Sequence, residues 1–338
     1  MAEIGSEFWS VPTSETANHL FPEDAQWYLS GRSALTAILL ELKNCHTAAL
    51  PSWCCDSVIS PFLNAGMEVK FYPVYFDKEF VQELRFDCDI LFVMDFFGFT
   101  GSESDLSGFR GTVIRDATHS LFSKDYSDAD YCFGSLRKWC GVWTGGYAWA
   151  KDGHRLPADD NNAEEYLFYR RKGMELKTQY VCSADSGNYD RAVKEHLRYF
   201  AEAEQLLDSS LAASIAPADE RDVFLAAHLD REFIVRCRRT NARILMDAFP
   251  DLLVFPELGE NDCPMFVPIL VPDGRRNALR QHLIDREIYC PVHWPVSGYH
   301  KLGEREAFLY NSGLSLVCDQ RYGPEDMHRV VRTVKAFL

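Results

Sequence analysis

The stretch from Val113 to Gly146 constrains the fold of this chain more than any other part of the sequence. It opens with the apolar pair Val113-Ile114 and soon reaches an acid, Asp116, which is typical of a short buried strand that ends in a carboxylate. It then places one lysine, Lys138, near aromatic residues and before a glycine pair: Trp139, Trp143, Tyr147, Gly145 and Gly146. We therefore expect an acid at a strand end and a lysine in an apolar, partly buried pocket.

Asp116 and Lys138 are the two side chains that pyridoxal phosphate requires of a protein. The lysine must lose its proton to form a Schiff base with the cofactor, and an apolar, partly buried site favours the uncharged amine. The acid must stay ionised against the pyridine nitrogen, so that the protonated ring draws electrons from the substrate carbon. The residues therefore predict a pyridoxal-phosphate enzyme with Lys138 as its Schiff-base lysine. Taken alone, each has a simpler interpretation, a surface lysine and a turn-capping aspartate.

Charge and cysteine content exclude several other classes of protein. The formal net charge of the 338 residues is -15 and the sequence pI is about 5.1, whereas nucleic acids and anionic membranes need a basic face. The 11 cysteines include no Cys-x-x-Cys pair and no zinc spacing, so we expect no metal site and no disulfide framework. With no signal-like start and no apolar run of membrane length, the sequence predicts a cytoplasmic protein.

Apolar runs and helical periodicity alternate through the first part of the chain. We expect strands at Ala48–Pro51, Glu68–Val74, Asp89–Phe97 and Val113–Asp116, with a helix at Asp56–Ala65. This rhythm predicts an α/β fold with a largely parallel, doubly wound sheet. Ligands of such sheets gather outside the carboxyl ends of the strands, where Asp116, Asp95 and Gly98 should lie.

The pattern changes beyond Lys151. Helical periodicity is expected at Ala163–Gly173, Arg191–Leu211 and Asp219–Phe249, with an irregular segment at Leu176–Tyr189. Later elements alternate again, with strands at Met265–Val271, Tyr289–His293 and Ser315–Cys318 and helices at Arg275–Arg286 and Pro324–Leu338. The sequence therefore predicts an N-terminal arm (residues 1–24), a large cofactor-binding domain (25–220) and a smaller α+β C-terminal domain (221–338).

A helix should begin near Arg32, because apolar residues at helical spacing follow the tetrapeptide Ser30-Gly31-Arg32-Ser33. The first amides of a helix have no intrahelical partner and carry the positive end of its dipole, so they can bind an anion. A capped core helix with nothing bound is an equally good interpretation of this segment alone.

Several motifs in order resemble those of the DegT/DnrJ/StrS aminotransferases, which are fold-type I pyridoxal-phosphate enzymes. They are Ser-Gly-Arg-Ser-Ala-Leu at position 30, Asp-Ala-Thr-His at position 116, the lysine followed by Thr-Gly-Gly, and Leu-Ser-Leu-Val-Cys-Asp-Gln-Arg-Tyr-Gly-Pro near the end. The resemblance runs from about Trp27 to the C-terminus. It implies transfer of an amino group from an amino-acid donor to a keto or aldehyde acceptor, in many members a sugar. It also implies a homodimer with shared active sites.

The resemblance assigns roles residue by residue. Residues Gly31, Arg32 and Ser33 would bind the cofactor phosphate through their backbone, and Asp116 would pair with the pyridinium nitrogen. His119 would lie near the phenolic oxygen, and Lys138 would form the Schiff base and carry protons. The family commonly has serine five residues before the lysine, but here that residue is Phe133. Ser135 lies three residues before the lysine, as in the cysteine-desulfurase-like branch of the same fold, and this resemblance implies that Ser135 is the phosphate ligand. Cys55 occupies the position of the ring-stacking residue, with Trp53 close by.

Three residues are candidates for substrate contact. Arg321 and Tyr322 follow the last predicted strand, where an arginine could bind a substrate carboxylate or instead pair with Asp319 or Glu325. His293, next to Trp294, could line the substrate pocket or simply pack at a domain junction. For the partner subunit's site, we expect a contribution from the Leu176–Tyr189 segment or from the pair Arg170-Arg171.

Other activities stay open at this stage. A lyase or desulfurase would use the same cofactor and the same two residues. Ser135 and Lys138 also form a Ser-x-x-Lys motif, which is the pattern of serine acyl enzymes. The Ser-Asp-Asn and Lys-Thr-Gly motifs of those enzymes are missing, and Lys177-Thr178-Gln179 is the tripeptide most similar to the second of them. A catalytically silent relative that binds a partner is a further alternative, against which the retained Asp116 and Lys138 argue.

Overall fold

The computed structural model describes residues 3–100, 105–123, 128–161, 163–185 and 194–338. The helices are α1 (Gly31–Glu41), α2 (Asp56–Asn64), α3 (Glu164–Asp185), α4 (His196–Asp208), α5 (Glu220–Ala227), α6 (Arg231–Ala248), α7 (Arg276–Ile284), α8 (Glu304–Ser312) and α9 (Pro324–Lys335). The strands are β1 (Ile4–Gly5), β2 (Gln26–Tyr28), β3 (Thr47–Pro51), β4 (Glu68–Tyr72), β5 (Val74–Asp77), β6 (Glu79–Gln82), β7 (Ile90–Met94), β8 (Thr112–Asp116), β9 (Tyr131–Ser135), β10 (Gly146–Ala150), β11 (Phe266–Leu270), β12 (Ile288–Tyr289) and β13 (Gly313–Val317).

The chain forms two compact units, and each is assembled from separate segments. Of the described residues, those within 6–42 and 133–230 form the first unit, and those within 3–5, 43–132 and 231–338 form the second. Within the described residues, the chain therefore passes between the units near residues 5, 42, 132 and 230. The division into an arm, a large domain and a C-terminal domain remains a prediction.

Four parallel strands of the second unit form most of its main sheet, in the order β4-β3-β7-β8. Their register places Ala48 beside Ile90 and Met94 beside Asp116. Every residue of β7 is buried, as expected for a parallel strand covered on both faces. The expectation of an α/β fold with a mostly parallel central sheet is confirmed. Outside that sheet, β11 pairs antiparallel with β13, and β5 and β6 form a hairpin.

In the first unit, β2 pairs antiparallel with β10, and α1 packs on β10. The long helices α3 and α4 pack on each other. Around them lies an apolar cluster of buried residues: Leu29, Tyr166, Ala203, Leu207 and Ala216. This cluster joins the α3–α4 pair to the segment that leads into α1, and therefore supports the start of that helix.

Most of the predicted elements are present, with boundaries displaced by a few residues. The expected helix at Arg32 and the strand that ends at Asp116 are confirmed as α1 and β8. The strand expected over Asp89–Phe97 is shorter and becomes β7. The hairpin of β5 and β6 and the helix α8 were not expected from the sequence.

Two helical predictions are wrong. The segment from Leu176, expected to be irregular, continues α3 as far as Asp185; residues 186–189 lie outside the described part. The single helix expected over Asp219–Phe249 is broken into α5 and α6. The N-terminal arm causes this break, because the amide of Asp230 donates to the carbonyl of Pro12 (3.0 Å) and Thr13 bridges to Leu229.

No helix within the described residues is long and apolar enough to cross a membrane. The same part of the chain holds no group of three or more histidine, cysteine or acidic side chains that could bind a metal ion. All 11 cysteines are free thiols.

Candidate active site

The predicted site residues are divided between the two units. Gly31, Arg32, Ser33, Ser135 and Lys138 belong to the first unit; Trp53, Cys55, Asp116, His119, His293, Arg321 and Tyr322 belong to the second.

In the first unit, Ser135 lies directly against the start of α1. A Cβ placed on Gly31 would be 3.1 Å from the Cβ of Ser135 and 3.3 Å from the carbonyl oxygen of Gly134. Ser30 is the N-cap residue, and its Oγ accepts the amide of Ser33 at 3.1 Å. Ser33 and Ser135 are buried. The first turn of the helix and Ser135 therefore lie in contact, and we call the backbone amides of Gly31 and Arg32 together with Ser135 the polar cradle.

The side chain of Arg32 points away from this cradle. Its guanidinium donates to the carbonyl of Leu207 and pairs with Asp208 at 2.7 Å. Arg32 can therefore offer the cradle its backbone amide but not its charge, which agrees with the backbone role predicted for it.

The glycine pair of the predicted motif allows a close approach of two chain segments. A Cβ on Gly146 would lie 1.9 Å from the carbonyl oxygen of Ser30, so no other residue fits without a backbone shift. Gly145 has φ +114°, a left-handed value that favours glycine, and its carbonyl accepts the amide of Leu136 at 2.8 Å. The two glycines thus bring the start of β10 against the N-cap of α1 and hold the turn that carries Lys138.

Lys138 is exposed at the end of a 3-10 turn, Leu136–Lys138, which contradicts the apolar pocket expected for it. In a 3-10 turn residues i and i+3 share a face, so Leu136 and Trp139 take the buried face and Lys138 points outward. The aromatic residues pack elsewhere. Tyr147 contacts the rings of Phe21 and Trp149 at 5.0 and 6.0 Å.

The third aromatic residue, Trp143, is covered by two arginines. The guanidinium of Arg221 lies 4.0 Å from its ring centroid and that of Arg171 lies 4.7 Å away. The segment is further fixed by the buried carboxylate of Asp222, which accepts the amides of Trp143 (3.0 Å) and Thr144 (2.8 Å). Burial raises the pKa of Asp222, and the hydrogen bonds from the amide and hydroxyl of Thr144 oppose that effect.

A charged cluster borders the lysine turn in the first unit. Arg137 donates to the hydroxyl of Tyr166 at 2.9 Å and pairs with Glu204 on α4. Burial alone would raise the pKa of Glu204. The positive charges of Arg137, Lys138 and Arg170 outweigh burial and hold the pKa of this carboxyl below its ordinary value.

Arg170 is buried within its own unit, so the prediction that it reaches a partner's site is wrong. Its side chain packs over the ring of Phe200 at 4.9 Å, and its Nη2 donates to the carbonyl of Val142 at 3.3 Å. Its neighbour Arg171 is 45% exposed and pairs with Asp219 at 2.7 Å. That Arg171 contributes to the partner subunit's site remains a prediction.

In the second unit, Asp116 ends β8 and is 4% exposed. One carboxylate oxygen accepts the amide of Thr118 at 2.8 Å, which closes the turn after the strand. Asp116 therefore stands at the carboxyl end of a parallel strand, where ligands of such sheets bind, as predicted.

A buried network that the sequence did not indicate holds this turn. The guanidinium of Arg115 is 3% exposed and pairs with Asp95 at 2.5 Å and with Asp128 through two nitrogens. The other oxygen of Asp95 accepts the hydroxyl of Ser120 at 2.6 Å. Asp95 thus ties together the strand and the turn that carries His119.

His119 is buried among aromatic rings. Its Nδ1 accepts the amide of Phe97 at 3.3 Å, so the proton of the neutral ring lies on Nε2. Trp294 stacks on it with ring centroids 5.6 Å apart and an interplanar angle of 19°. His293 is 5.9 Å away and binds the hydroxyl of Ser315 through Nδ1 at 2.8 Å.

Trp53 belongs to the same aromatic group. It stacks on Phe96 (5.3 Å, 13°), and its indole nitrogen donates to the carbonyl of His293 at 2.9 Å. Cys55 precedes α2, and its sulfur lies 2.9 Å from the hydroxyl of Ser57. Trp53, His119 and His293 are therefore brought together, as expected of residues that line one site.

Arg321 and Tyr322 already have partners in their own chain. The guanidinium of Arg321 donates two hydrogen bonds to Asp319, at 2.9 and 2.8 Å, and both side chains are buried. Pairing with Asp319 was one of the alternatives predicted for Arg321. The hydroxyl of Tyr322 accepts the amide of Gly5 at 2.8 Å and donates to the carbonyl of the same residue at 3.2 Å.

The architecture is similar to that of solved structures named as sugar aminotransferases, which match this chain over nearly its whole length. Three of them illustrate the match. The sugar aminotransferase CalS13 from Micromonospora echinospora has a TM-score of 0.58 and 15% identity, covering 93% of this chain and 87% of its own. The putative sugar aminotransferase Spr1654 from Streptococcus pneumoniae, in its PLP form, has a TM-score of 0.59 and 13% identity, covering 97% of this chain and 92% of its own. Helicobacter pylori PseC, an aminotransferase involved in the biosynthesis of pseudoaminic acid, has a TM-score of 0.59 and 12% identity, covering 98% of this chain and 99% of its own.

No protein-family model matches the sequence, and no curated protein sequence does either. The identities of 12–15% to these solved structures show a shared fold. The fold implied by the sequence motifs is thereby confirmed.

Proposed function

We propose that this chain is a pyridoxal-phosphate-dependent aminotransferase that moves an amino group from an amino-acid donor to a keto or aldehyde acceptor. The observation that carries the proposal is the polar cradle at the start of α1, formed by Gly31, Arg32 and Ser135, with Lys138 three residues beyond its serine; the amide of Ser33, which we also expected to bind the phosphate, is instead donated to Ser30. The shared fold supports it. Since the matched structures are named as sugar aminotransferases, keto-sugars are the first acceptor class to test.

The described residues fit the cofactor in two respects. The cradle offers helix amides and a hydroxyl to a phosphate, and a Cβ on Gly31 would crowd it. Asp116 offers a buried carboxylate at a strand end to a protonated ring nitrogen. Bound pyridoxal phosphate would supply an electron-withdrawing ring.

Each residue then has a definite task. The amides of Gly31 and Arg32 and the hydroxyl of Ser135 would bind the phosphate, and Asp116 would keep a proton on the ring nitrogen. His119, oriented by the Phe97 amide, would donate a hydrogen bond from Nε2 to the phenolic oxygen of the cofactor. Lys138 would hold the cofactor and, once released, its Nζ would carry a proton between the substrate carbon and the cofactor's C4' position.

The absorbance spectrum of the purified protein tests the cofactor lysine. We expect a visible band with pyridoxal phosphate that is lost in Lys138→Ala and kept in Lys151→Ala, which removes another exposed lysine of the same unit. Borohydride treatment and peptide mapping should place the cofactor mass on the peptide that contains Lys138. A label at another lysine, or a band that survives Lys138→Ala, would overturn the assignment.

The phosphate cradle has its own test. Ser135→Ala should weaken binding of pyridoxal phosphate about tenfold or more, since a hydrogen bond to a charged group contributes about 1.5–3 kcal/mol. It should leave binding of pyridoxal, which lacks the phosphate, unchanged. Equal losses for both ligands would place Ser135 elsewhere.

Glutamate distinguishes transamination from a lyase or desulfurase reaction with the same cofactor. An aminotransferase should convert the bound cofactor to its amine form when glutamate is added, with release of 2-oxoglutarate. Labelling of Ser135 by a fluorophosphonate would instead support the serine acyl enzyme.

We also propose a homodimer with shared active sites in a reducing compartment such as the cytoplasm. The exposed position of Lys138 supports a site completed by a second subunit, and the 11 free thiols fit a reducing environment. Sedimentation of the cofactor-loaded protein as a single chain would contradict the dimer.

A further inference from the structure

The second unit contains a cavity of about 490 Å³ beside the C-terminal half of α6. None of the residues that line it belongs to the predicted cofactor or substrate residues. Its volume falls within the roughly 300–1,000 Å³ that is usual for small-molecule pockets.

The cavity has an apolar floor. Met246 on α6 and Leu253 after it are both 7% exposed, and prolines 250 and 256 with Leu258 complete the apolar lining. A ligand seated here would therefore bury apolar surface.

The walls of the cavity are held in place before any ligand binds. Arg239, one turn before the cavity on α6, donates to the carbonyls of Gly259 (2.8 Å) and Asp262 (2.5 Å), which fixes the loop that carries Leu258. On the other side, the amide of Val254 donates to the carbonyl of Pro268 at 3.1 Å and ties the segment after α6 to β11. Both sides are thus anchored to regular structure.

Two opposite charges stand at the cavity, one helical turn apart on α6: Arg243 and Asp247. Both are exposed, and in the part of the chain that the structure describes neither side chain takes part in a hydrogen bond or an ion pair. The other arginines that flank the cavity differ, since Arg238 and Arg239 both donate to backbone carbonyls.

The order of these charges along α6 explains why they do not stabilise each other well. Asp247 lies in the last turn, where the partial negative charge at the helix C-terminus disfavours a carboxylate and attracts a cation. An acid that follows its base at i+4 is also the less favourable arrangement for a helical pair. A ligand ammonium at Asp247 would be attracted by the carboxylate and by the helix end together.

From this arrangement we infer a binding site for a free α-amino acid with an apolar side chain, separate from the proposed aminotransferase chemistry. Arg243 would bind the carboxylate through two parallel hydrogen bonds, Asp247 would bind the ammonium group, and the floor of Met246 and Leu253 would accept the side chain. A ligand that carries both charges on one carbon suits this pair, because the two residues lie one helical turn apart on the same face of α6.

Calorimetric titration of the full chain with L-leucine, L-methionine and L-phenylalanine tests the site. We expect saturable binding of at least one of them to the wild-type protein and equally to Lys138→Ala, which lacks the proposed cofactor lysine. Glycine, without a side chain to bury, should bind at least tenfold more weakly. Binding that disappears in Lys138→Ala would mean that the amino acid occupies the active site and would overturn the inference.

Charge variants assign the two ends of the ligand. Arg243→Gln should weaken L-leucine and 4-methylpentanoate at least tenfold and leave 3-methylbutylamine unchanged, whereas Asp247→Asn should weaken L-leucine and the amine and leave the acid unchanged. Matched controls are Arg236→Ala, an exposed arginine of α6 outside the cavity, and Glu257→Gln, an exposed acid of the neighbouring loop. Wild-type affinity in both Arg243→Gln and Asp247→Asn, or no saturable binding of any of the three amino acids, would refute the site.

Discussion

Asp95 offers the most informative single substitution in the second unit. Its carboxylate joins the buried guanidinium of Arg115 (2.5 Å) to the hydroxyl of Ser120 (2.6 Å), and its side chain is only 11% exposed. In Asp95→Ala, both partners would lose a buried acceptor. Asp128, on the far side of Arg115, offers a natural comparison because its side chain is 43% exposed.

The loss of folding stability in Asp95→Ala depends on which negative charges remain beside Arg115. Removing one partner of a buried ion pair costs about 3–5 kcal/mol when the other charge is left alone. Here Arg115 keeps its two-point contact with Asp128, so we expect Asp95→Ala to lower the free energy of unfolding by about 2–3 kcal/mol. Asp128→Ala removes a more exposed carboxylate and should cost about 1 kcal/mol or less. Asp95→Asn retains the Ser120 bond and should fall between the two.

Urea unfolding followed by tryptophan fluorescence and by circular dichroism would measure these differences. Since Asp95 fixes the turn that carries His119, Asp95→Ala should also weaken pyridoxal phosphate binding more than Asp128→Ala does. A loss of stability in Asp128→Ala equal to or larger than that in Asp95→Ala would refute the assignment of Asp95 as the centre of this network.

Three further substitutions test separate contacts. Gly146→Ala should lower the free energy of unfolding by about 3 kcal/mol or more, because its Cβ would lie 1.9 Å from the Ser30 carbonyl oxygen; Gly298→Ala, with no atom within 4 Å, should be nearly neutral in the same urea titration. Glu204→Gln should cost under about 1 kcal/mol at neutral pH, since its side chain is 47% exposed. Because the pKa of Glu204 is lowered, the stability difference between the wild-type protein and Glu204→Gln should be fully present above the ordinary pKa of 4.5 and should disappear as the pH falls through the lowered pKa. A stability difference that increased in acid would contradict the pairing. Tyr322→Phe should cost about 1–3 kcal/mol by leaving buried backbone groups of β1 unsatisfied, and an unchanged unfolding midpoint would show that β1 does not depend on that hydroxyl.

The sequence predicted those parts of the fold that local patterns determine. The continuous apolar run of β8 and its terminal Asp116 were readable because parallel strands covered on both faces are apolar throughout. The start of α1 was readable from its serine cap. The expectation that Arg32 acts through its backbone also agrees with the direction of its side chain.

The errors arose where distant segments decide local structure. The arm residues Pro12 and Thr13 take backbone hydrogen bonds at 229–230, and no periodicity within Asp219–Phe249 signals that break. Tyr180, buried against His196 of α4 at 5.0 Å, helps α3 continue through residues whose composition favours a loop. The exposure of Lys138 depends on which face of a single 3-10 turn is buried, which the number of nearby aromatic residues does not determine.

Network residues were missed for the same reason. Glu204 lies 67 residues from Arg137, and Asp222 lies 78 residues from Thr144, so neither pair leaves a spacing signal in the sequence. Contacts of this kind become visible in sequence only as residue pairs that co-vary among homologues.

The interleaved path of the chain has a consequence for biosynthesis. The first unit needs residues 6–42 and 133–230, and the second needs residues 43–132 and 231–338, so the early part of each must wait for a distant later part. During translation, the parallel strands around β7 emerge long before the C-terminal helices of their unit. Folding therefore involves loop closures over some hundred residues or more, which slows folding and leaves apolar strand surface uncovered for longer. A nascent chain halted before α6 should consequently be a much better chaperone client than the released protein.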